Sequence, residues 1–360
     1  MLIYKSKFEC TDVLNVVFLC GSNYNHKDPY DKRKILKEFV NNMGYSGLIL
    51  EENFIMKNSS KKFLAYDDIF LKDLASVEQL TSLFASHIII IHETISTAAE
   101  IGMFAINPQI IDKICLLVPD DISIEENKIS NFIKLAFLNN NTLKRIPKVI
   151  TYYPDIDVRR LSVNKSDYYT FFHDNKIGEN LGTHLCCFLK ISNKNKIINI
   201  KKSKYNKSSN ENSNIEFYVD DDQLKVSVST DALKTQLIAL FFCEEFRREI
   251  RKKKKIYEHV SYIQIFYTNV LKNTIMNLGN KNITNLDINI SIKNSNCELR
   301  QAIGYFLYLL QAIEFISLEN DSGCFCDRKI TIKNALNKLK DQYKDLITEK
   351  KPTDFSEEFK

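Results

Sequence analysis

Two stretches of this 360-residue sequence carry residue types that could do chemistry, and they lie far apart. In Ser96-Thr97-Ala98-Ala99-Glu100-Ile101-Gly102 a carboxylate follows two alanines, just after the most strand-like run of the chain, His87-Ile88-Ile89-Ile90-Ile91-His92. The small side chains at 98 and 99 let a ligand approach the start of a helix, where Glu100 would face a reacting carbon. A purely local explanation competes with that one. Thr97-x-x-Glu100 has the spacing of a capping box, in which Thr97 caps the helix and Glu100 reaches back to the cap amide. His92, next to Glu93 in the loop between strand and helix, is a further candidate for touching a ligand, whereas His87 reads as a capping or core histidine. The second stretch runs from Arg247 to Lys255 and holds seven basic residues in nine positions: Arg247, Arg248, Arg251, Lys252, Lys253, Lys254 and Lys255. Cations at a helix end complement the dipole, but seven exceed that need. Such a run, helped by Lys201, Lys202, Lys204 and Lys207, can meet nucleic-acid phosphates without reading sequence. Tyr257 and Tyr262 either stack on bases there or belong to the core.

The elements that must position Glu100 alternate short apolar runs with amphipathic segments over the first 120 residues, the pattern of a parallel sheet covered by helices. Strands are expected at 16–20, ending at Gly21-Ser22; at 48–50, ending at Glu51 and Glu52; at 87–92, ending at Glu93; and at 114–118, stopped by Pro119-Asp120. Helices are expected at 31–42, 67–84 (carrying Asp68 and Glu78) and 97–106. In a doubly wound sheet ligands bind outside the carboxyl ends of the strands, so these exits would converge on one crevice. It would be acidic, suited to a cationic or oxocarbenium-like species and poorly suited to bare anions. Backbone amides at Gly21 and Ser22 could approach a nucleotide, but G-x-G-x-x-G is absent, which argues against conventional Rossmann dehydrogenase chemistry.

The segment from Ser96 to Gly102 resembles the S/G-T-A-x-E-L/I-G signature of the nucleoside 2-deoxyribosyltransferase-like superfamily. Phe18-Leu19-Cys20-Gly21 resembles its first strand and turn, and Leu50-Glu51-Glu52 its second strand exit. Taken with Ile88 to Glu93 and Glu100-Ile101-Gly102-Met103-Phe104, the order is similar to the N-terminal domain of retron-associated effectors, which carry such a domain fused to a DNA-binding part. The likeness covers about residues 14 to 120, a third of the chain. It implies cleavage of an N-glycosidic bond: Glu100 would attack the anomeric carbon of a ribosyl or deoxyribosyl group, or hold the oxocarbenium ion, while Glu93 assists the departing base. It places Gly21, Ser22, Glu52, Glu78, His92 and Thr97 at the substrate. Asn131 is a weaker candidate for the sugar. No cofactor is implied, NAD or a nucleotide being the substrate. The expected enzyme is an N-glycosidase that hydrolyses it, since a toxin needs only water as acceptor.

The chain as a whole supports two specialised parts. Its length and 41.9 kDa exceed what one core usually organises, and 44% hydrophobic residues exclude a disordered or fibrous protein. The net charge of +5 conceals a split: residues 1–120 hold 12 basic and 15 acidic residues, a net of −3, so the remainder carries +8. The fold class expected is α/β, with a doubly wound parallel sheet over 1–175, a basic Asn/Lys/Ser-rich linker or insertion over 176–215, and a mainly helical, basic domain over 216–360. Helices plus a short strand at 288–293 are compatible with a winged-helix arrangement there. Nine cysteines, an odd number, and no secretory start point to reduced thiols in a cytoplasmic protein. Cys324-x-Cys326 and Cys186-Cys187 lack the further ligands of a tetrahedral site, so no metal is expected. The apolar stretch 303–318 contains Gln311 and Glu314 and reads as a buried helix rather than a membrane span. The resulting expectation is a toxin of a retron-type antiphage system, restrained by a reverse transcriptase with its RNA-linked DNA, in a chain open to homo-oligomer formation. The competing expectation is a non-enzymatic protein that senses nucleotide in the crevice and docks on DNA through the basic part.

Overall fold

The computed structural model describes residues 1–10, 14–22, 24–25, 27–53, 69–71, 73–119, 149–152, 172–173, 176–190, 196–203, 214–220, 222–279, 283–319 and 329–350. Asp68, Asp120, Asn131, Lys204, Lys207, Cys324 and Cys326, singled out above, lie outside them. Backbone contacts divide the chain into one compact unit of 14–53 with 81–194 and another of 1–13, 54–80 and 195–360. These bounds differ from those that composition suggests. The physical reason is strand pairing: β1 (Leu2–Tyr4) pairs antiparallel with a strand near residue 348, and β2 (Lys7–Cys10) with one near residue 198.

In the first of these units, β3 (Val16–Cys20), α1 (Lys32–Asn42), β4 (Ser46–Leu48) and the single turn α2 (Leu50–Asn53) are followed by α3 (Leu74–Phe84), which straddles the boundary. Next come β5 (His87–Ile91), α4 (Ile95–Ala105), α5 (Pro108–Ile111), β6 (Ile114–Pro119) and β7 (Val149–Tyr152). A small hairpin of β8 (Phe172–His173) and β9 (Lys176–Ile177) leads to α6 (Glu179–Lys190). The five-stranded sheet has the order β4-β3-β5-β6-β7 with every pairing parallel. Every residue of β3 and of β5 is buried, which is why both read as unbroken apolar runs. Val17, Leu19, Ile89, Ile91, Cys115 and Leu117 face a core with Leu36 and Val40 of α1 and Leu181, Leu185 and Phe188 of α6. The alternate residue Phe18 meets Phe104 of α4 edge-on, ring centroids 6.3 Å apart. Helices therefore cover both faces. Each fully buried Ile or Leu stabilises by about 1.5–3 kcal/mol. The strand expected at 48–50 ends at Leu48; Leu50 already begins α2, because Ile49 and Leu50 are buried as the chain turns.

The other unit combines its helices with a substantial sheet. Its centre is a five-stranded mixed sheet of order β13-β12-β11-β10-β2, built from β10 (Lys196–Lys202), β11 (Ile215–Asp220), β12 (Gln223–Val228) and β13 (Asp287–Ile292) with β2. The Asn/Lys/Ser-rich composition around 190–214 thus conceals a strand, held because Lys196–Asn199 pairs with Lys7–Cys10 and Ile200–Lys202 with Ile215–Phe217. The run from Thr230 to Ile250 forms two helices and not one, α7 (Thr230–Leu240), capped by Ser229, and α8 (Glu244–Ile250). The break lets Phe241 bury and meet Phe246 edge-on. After α9 (Ile256–Asn277) and α10 (Leu299–Ala312) the chain reverses at Glu314, φ 61°, into β14 (Ile316–Glu319), where helix was expected to 318. β14 pairs with β15 (Lys329–Ile332); two short turns, α11 (Asn334–Asn337) and α12 (Lys340–Tyr343), precede β16 (Ile347–Glu349), the partner of β1. Gly304 of α10 is required: a Cβ there would come within 2.8 Å of the Ile69 carbonyl oxygen. Among the described residues no helix is long and apolar enough to cross a membrane.

Candidate functional site

The strand order reverses at β3, flanked by β4 and β5, and the exits of these three strands carry Gly21-Ser22, Glu51-Glu52 and His92-Glu93. They meet a residue set that the sequence reading missed, the basic first half of α1. Arg33, only 4% exposed, donates to the Ser22 carbonyl and, at 2.7 Å, to Glu51. Lys32 pairs with Glu93, and Lys37 with Glu52, which also accepts from the Tyr24 hydroxyl. Ser22 Oγ lies 3.5 Å from the second Glu93 oxygen, and the Arg33 guanidinium lies 5.2 Å from the Tyr24 ring centroid. The result is one connected network from Lys37 to Lys32. A Cβ at Gly21 would approach Arg33 Cδ to 3.0 Å, so this glycine makes room for the buried arginine.

The expected acidic crevice is corrected accordingly: Glu51, Glu52 and Glu93 are each neutralised by a cation from α1. A signal for this existed in the sequence. Lys32, Arg33 and Lys34 occupy the first turn of α1, where the helix dipole disfavours cations and where no acidic residue stands. Asp31, the N-cap, compensates locally by accepting from the amides of Arg33 and Lys34. Cations at that unfavourable position point to partners elsewhere in the fold.

The capping-box explanation of Glu100 fails. The N-cap of α4 is Thr94, and the reciprocal bonds join Thr94 and Thr97: each side-chain oxygen accepts from the other's amide, at 3.4 and 3.2 Å. Thr97 is fully buried and Glu100 falls in the second turn, beyond reach of the cap amide, with its Oε2 shielded from solvent. Glu100 shares the Thr97 side of the helix, three residues on. Thr97 Oγ1 donates to the Thr94 carbonyl at 2.7 Å, and His92 Nδ1 lies 3.2 Å from Thr97 Oγ1. With the hydroxyl proton already committed, Nδ1 must be the donor, and Nε2 is the acceptor side of a neutral ring. Burial pushes the His92 imidazole below its ordinary value, consistent with that neutral form. Gly21, Ser22, Glu52, His92, Glu93, Thr97 and Glu100 thus all lie on β3, β4 and β5 exits or the α4 that follows. Glu78 sits half-buried on α3, in the part of that helix that belongs to the other unit.

The basic run lies at the end of α8 and in the turn before α9. Arg248 and Lys252 pair with Glu249 at 3.3 and 2.7 Å, and these partners hold the Glu249 carboxyl below its usual range. Lys253 and Lys255 lie 5.4 and 5.8 Å from the ring centroids of Tyr262 and Tyr257. Tyr257 is 49% exposed, whereas Tyr262 is half-buried and stacks on the buried Phe246. Glu258 accepts from the amides of Lys254 and Lys255 and fixes the turn. Arg251, Lys254 and Lys255 are exposed, and Arg247 is half-buried. Among the described residues no group of three or more His, Cys, Asp or Glu is arranged to hold a metal ion.

Comparison with known proteins adds two findings. The family model for the STM3845 retron effector protein matches residues 29–319, which takes in both the crevice residues from Lys32 onward and the basic run. A protein of Escherichia coli, named provisionally as the retron Ec73 ribosyltransferase/DNA-binding protein, is 30% identical over 150 residues, covering 40% of this chain and 42% of that relative. The chain therefore aligns with less than half the length of that relative. The relative's name denotes group transfer, a different activity from hydrolysis, and overturns the expectation of an N-glycosidase that hydrolyses NAD or a nucleotide.

Proposed function

This chain belongs to the STM3845 retron effector family, and on that premise we propose that its parallel-sheet unit is a ribosyltransferase acting on a nucleoside or nucleotide within retron-based antiphage defence. The observation that carries the reading is Glu100: a glutamate in the second turn of α4, freed from any capping role, with one oxygen shielded from water. In the proposed reaction a Glu100 oxygen bonds to the anomeric carbon as the C–N bond breaks, and the base leaves with the electron pair and takes up the proton of the Glu93 carboxyl. An acceptor nucleophile then attacks the same carbon, releases Glu100 and gives up its own proton. Glu93, oriented by Lys32 and Ser22, is the group for that proton, and His92 Nε2 accepts from a sugar hydroxyl. Gly21, Ser22, Glu52 and Thr97 shape the sugar and base pocket in the nucleoside deoxyribosyltransferase-like manner.

The proposed partner of the other unit is a reverse transcriptase with its RNA-linked DNA, met through the phosphates by Arg247, Arg248, Arg251 and Lys252 to Lys255. The test of the enzymatic reading is Glu100→Gln. Purified protein, with and without the nucleic-acid partner, is assayed for release of free base and for labelled ribose on an acceptor; wild type is expected to transfer and the variant not to. Equal, negligible rates in both would leave a nucleotide-sensing scaffold and end the transferase reading.

A further inference from the structure

We propose that the outer edge of β13 is a docking groove for an extended, lysine- or arginine-bearing segment of a partner protein, which adds to the mixed sheet as a further strand. The inference is independent of any chemistry at Glu100. β13 is the end strand of its sheet, hydrogen-bonded to β12 alone among the described residues. The Lys293 amide donates to the Val228 carbonyl, which sets the parity of the parallel ladder. Residues 291, 289 and 287 therefore turn their amides to β12, and Ile288 and Ile290 turn theirs outward.

Residues 287–290 of β13, with Gln223 of β12, line a cleft of about 540 Å³. Gln264 and Thr268, one turn apart on α9, form one wall, and Glu298 and Arg300 at the start of α10 belong to another. Cavities of this size accommodate a ligand rather than a few waters. The carboxamide and hydroxyl groups of Gln264, Asn289 and Thr268 suit a peptide backbone, which needs donors and acceptors in equal measure.

Charge selects the kind of segment. Asp287 and Glu298 face this cleft, while the Arg300 guanidinium is engaged 3.8 Å from the Phe70 ring centroid. With two carboxylates against one guanidinium, the lining carries a net negative charge in the part of the chain that is otherwise basic, so it disfavours a polyanion and attracts a cationic strand. The edge also lacks the usual protection. Exposed edge strands are blunted with lysine, proline or bulges, yet β13 reads Asp-Ile-Asn-Ile-Ser-Ile, with none of these and three isoleucines. An unguarded edge beside a fitted groove is the arrangement used for strand addition.

The test uses the full chain and two fluorescent peptides, one alternating lysine with valine and one alternating glutamate with valine. The lysine peptide is expected to bind, the glutamate peptide at least about tenfold more weakly. Binding is expected to slow hydrogen exchange at the Ile288 and Ile290 amides. Ile290→Pro removes one outward donor without touching the ladder to β12, a place where edge strands accept proline. It is expected to weaken binding about tenfold at unchanged melting temperature. Should that variant fail to fold, Asp287→Lys, at an exposed position, is expected to weaken lysine-peptide binding severalfold, with exchange at Ile288 and Ile290 as the second readout. Absence of binding, equal affinity for both peptides, or unchanged exchange at these amides would overturn the proposal. So would concentration-dependent dimerisation that Ile290→Pro abolishes, because it would assign the edge to a second copy of the chain.

Discussion

The charged residues of the crevice and those of the basic run are deployed on opposite plans. At the crevice Lys32, Arg33 and Lys37 each hold a carboxylate, and the guanidinium at the centre is almost wholly buried. Over 247–255, the Arg248 and Lys252 side chains are 71% and 61% exposed even though both pair with Glu249. Interlocked pairs fix side-chain positions before a ligand arrives, so their value lies in geometry. Exposed cations keep their charge available to an incoming polyanion, so their value lies in the field they project. The crevice is therefore expected to be sensitive to single atoms and tolerant of salt, and the basic run the reverse.

The largest effect expected on the crevice side is from Glu100→Gln, which exchanges one oxygen for nitrogen and is expected to lower ribosyl transfer about a thousandfold or more while leaving nucleic-acid binding unchanged. A variant that kept its rate would erase the contrast. On the other side, if the basic run contacts about five phosphates, affinity for nucleic acid is expected to fall about five hundredfold between 50 and 200 mM salt. Replacing Arg251, Lys253 and Lys254 by glutamine is expected to reduce that slope by about three units with transfer activity intact; a slope unchanged in filter-binding or anisotropy titrations would show that the run is merely solvated. Arg33→Met comes next. It strands the Ser22 carbonyl and Glu51, and since Glu51 is half exposed the cost is expected to be about 2 kcal/mol in urea unfolding, toward the low end for a broken buried pair.

The smallest effect concerns His92. Burial lowers its folded-state value, so the unfolded chain takes up the proton first. The stability contributed by the neutral ring is fully present above about pH 6.5, the ordinary histidine value, and declines as the pH falls below it. His92→Gln is expected to flatten that limb of the melting-temperature profile. An unaltered profile would mean that His92 titrates alike in the folded and unfolded chain, and would remove the burial argument for a neutral ring.

The strands β3, β5 and β6 were legible because each is a contiguous run buried on both faces, and burial of that kind is written into composition residue by residue. The same local logic misjudged α4. Thr97-x-x-Glu100 and Thr94-x-x-Thr97 both have cap spacing, and the choice fell to Thr94 because Thr97 is drawn into the core beside His92. The break between α7 and α8 was equally hidden, since burial of Phe241 and Phe246 against each other depends on packing and not on a Gly or Pro in the sequence. β10 was masked by its lysines and asparagines; its two neighbours, β2 and β11, lie on opposite sides of it in sequence, and β2 is almost 190 residues away.

By itself the sequence determined β3, β5 and β6 of the parallel sheet, the position of Glu100 after β5 and the concentration of positive charge at 247–255, because each depends on residues next to one another. Only the tertiary structure decided that β1 pairs with β16 and β2 joins the mixed sheet, that Glu100 has no capping duty, and that three cations of α1 neutralise the crevice. Ion pairs act over a few ångströms in space without regard to separation along the chain. Lys32 and Glu93 are 61 residues apart, and nothing in either neighbourhood announces the other until the sheet brings their strand ends together.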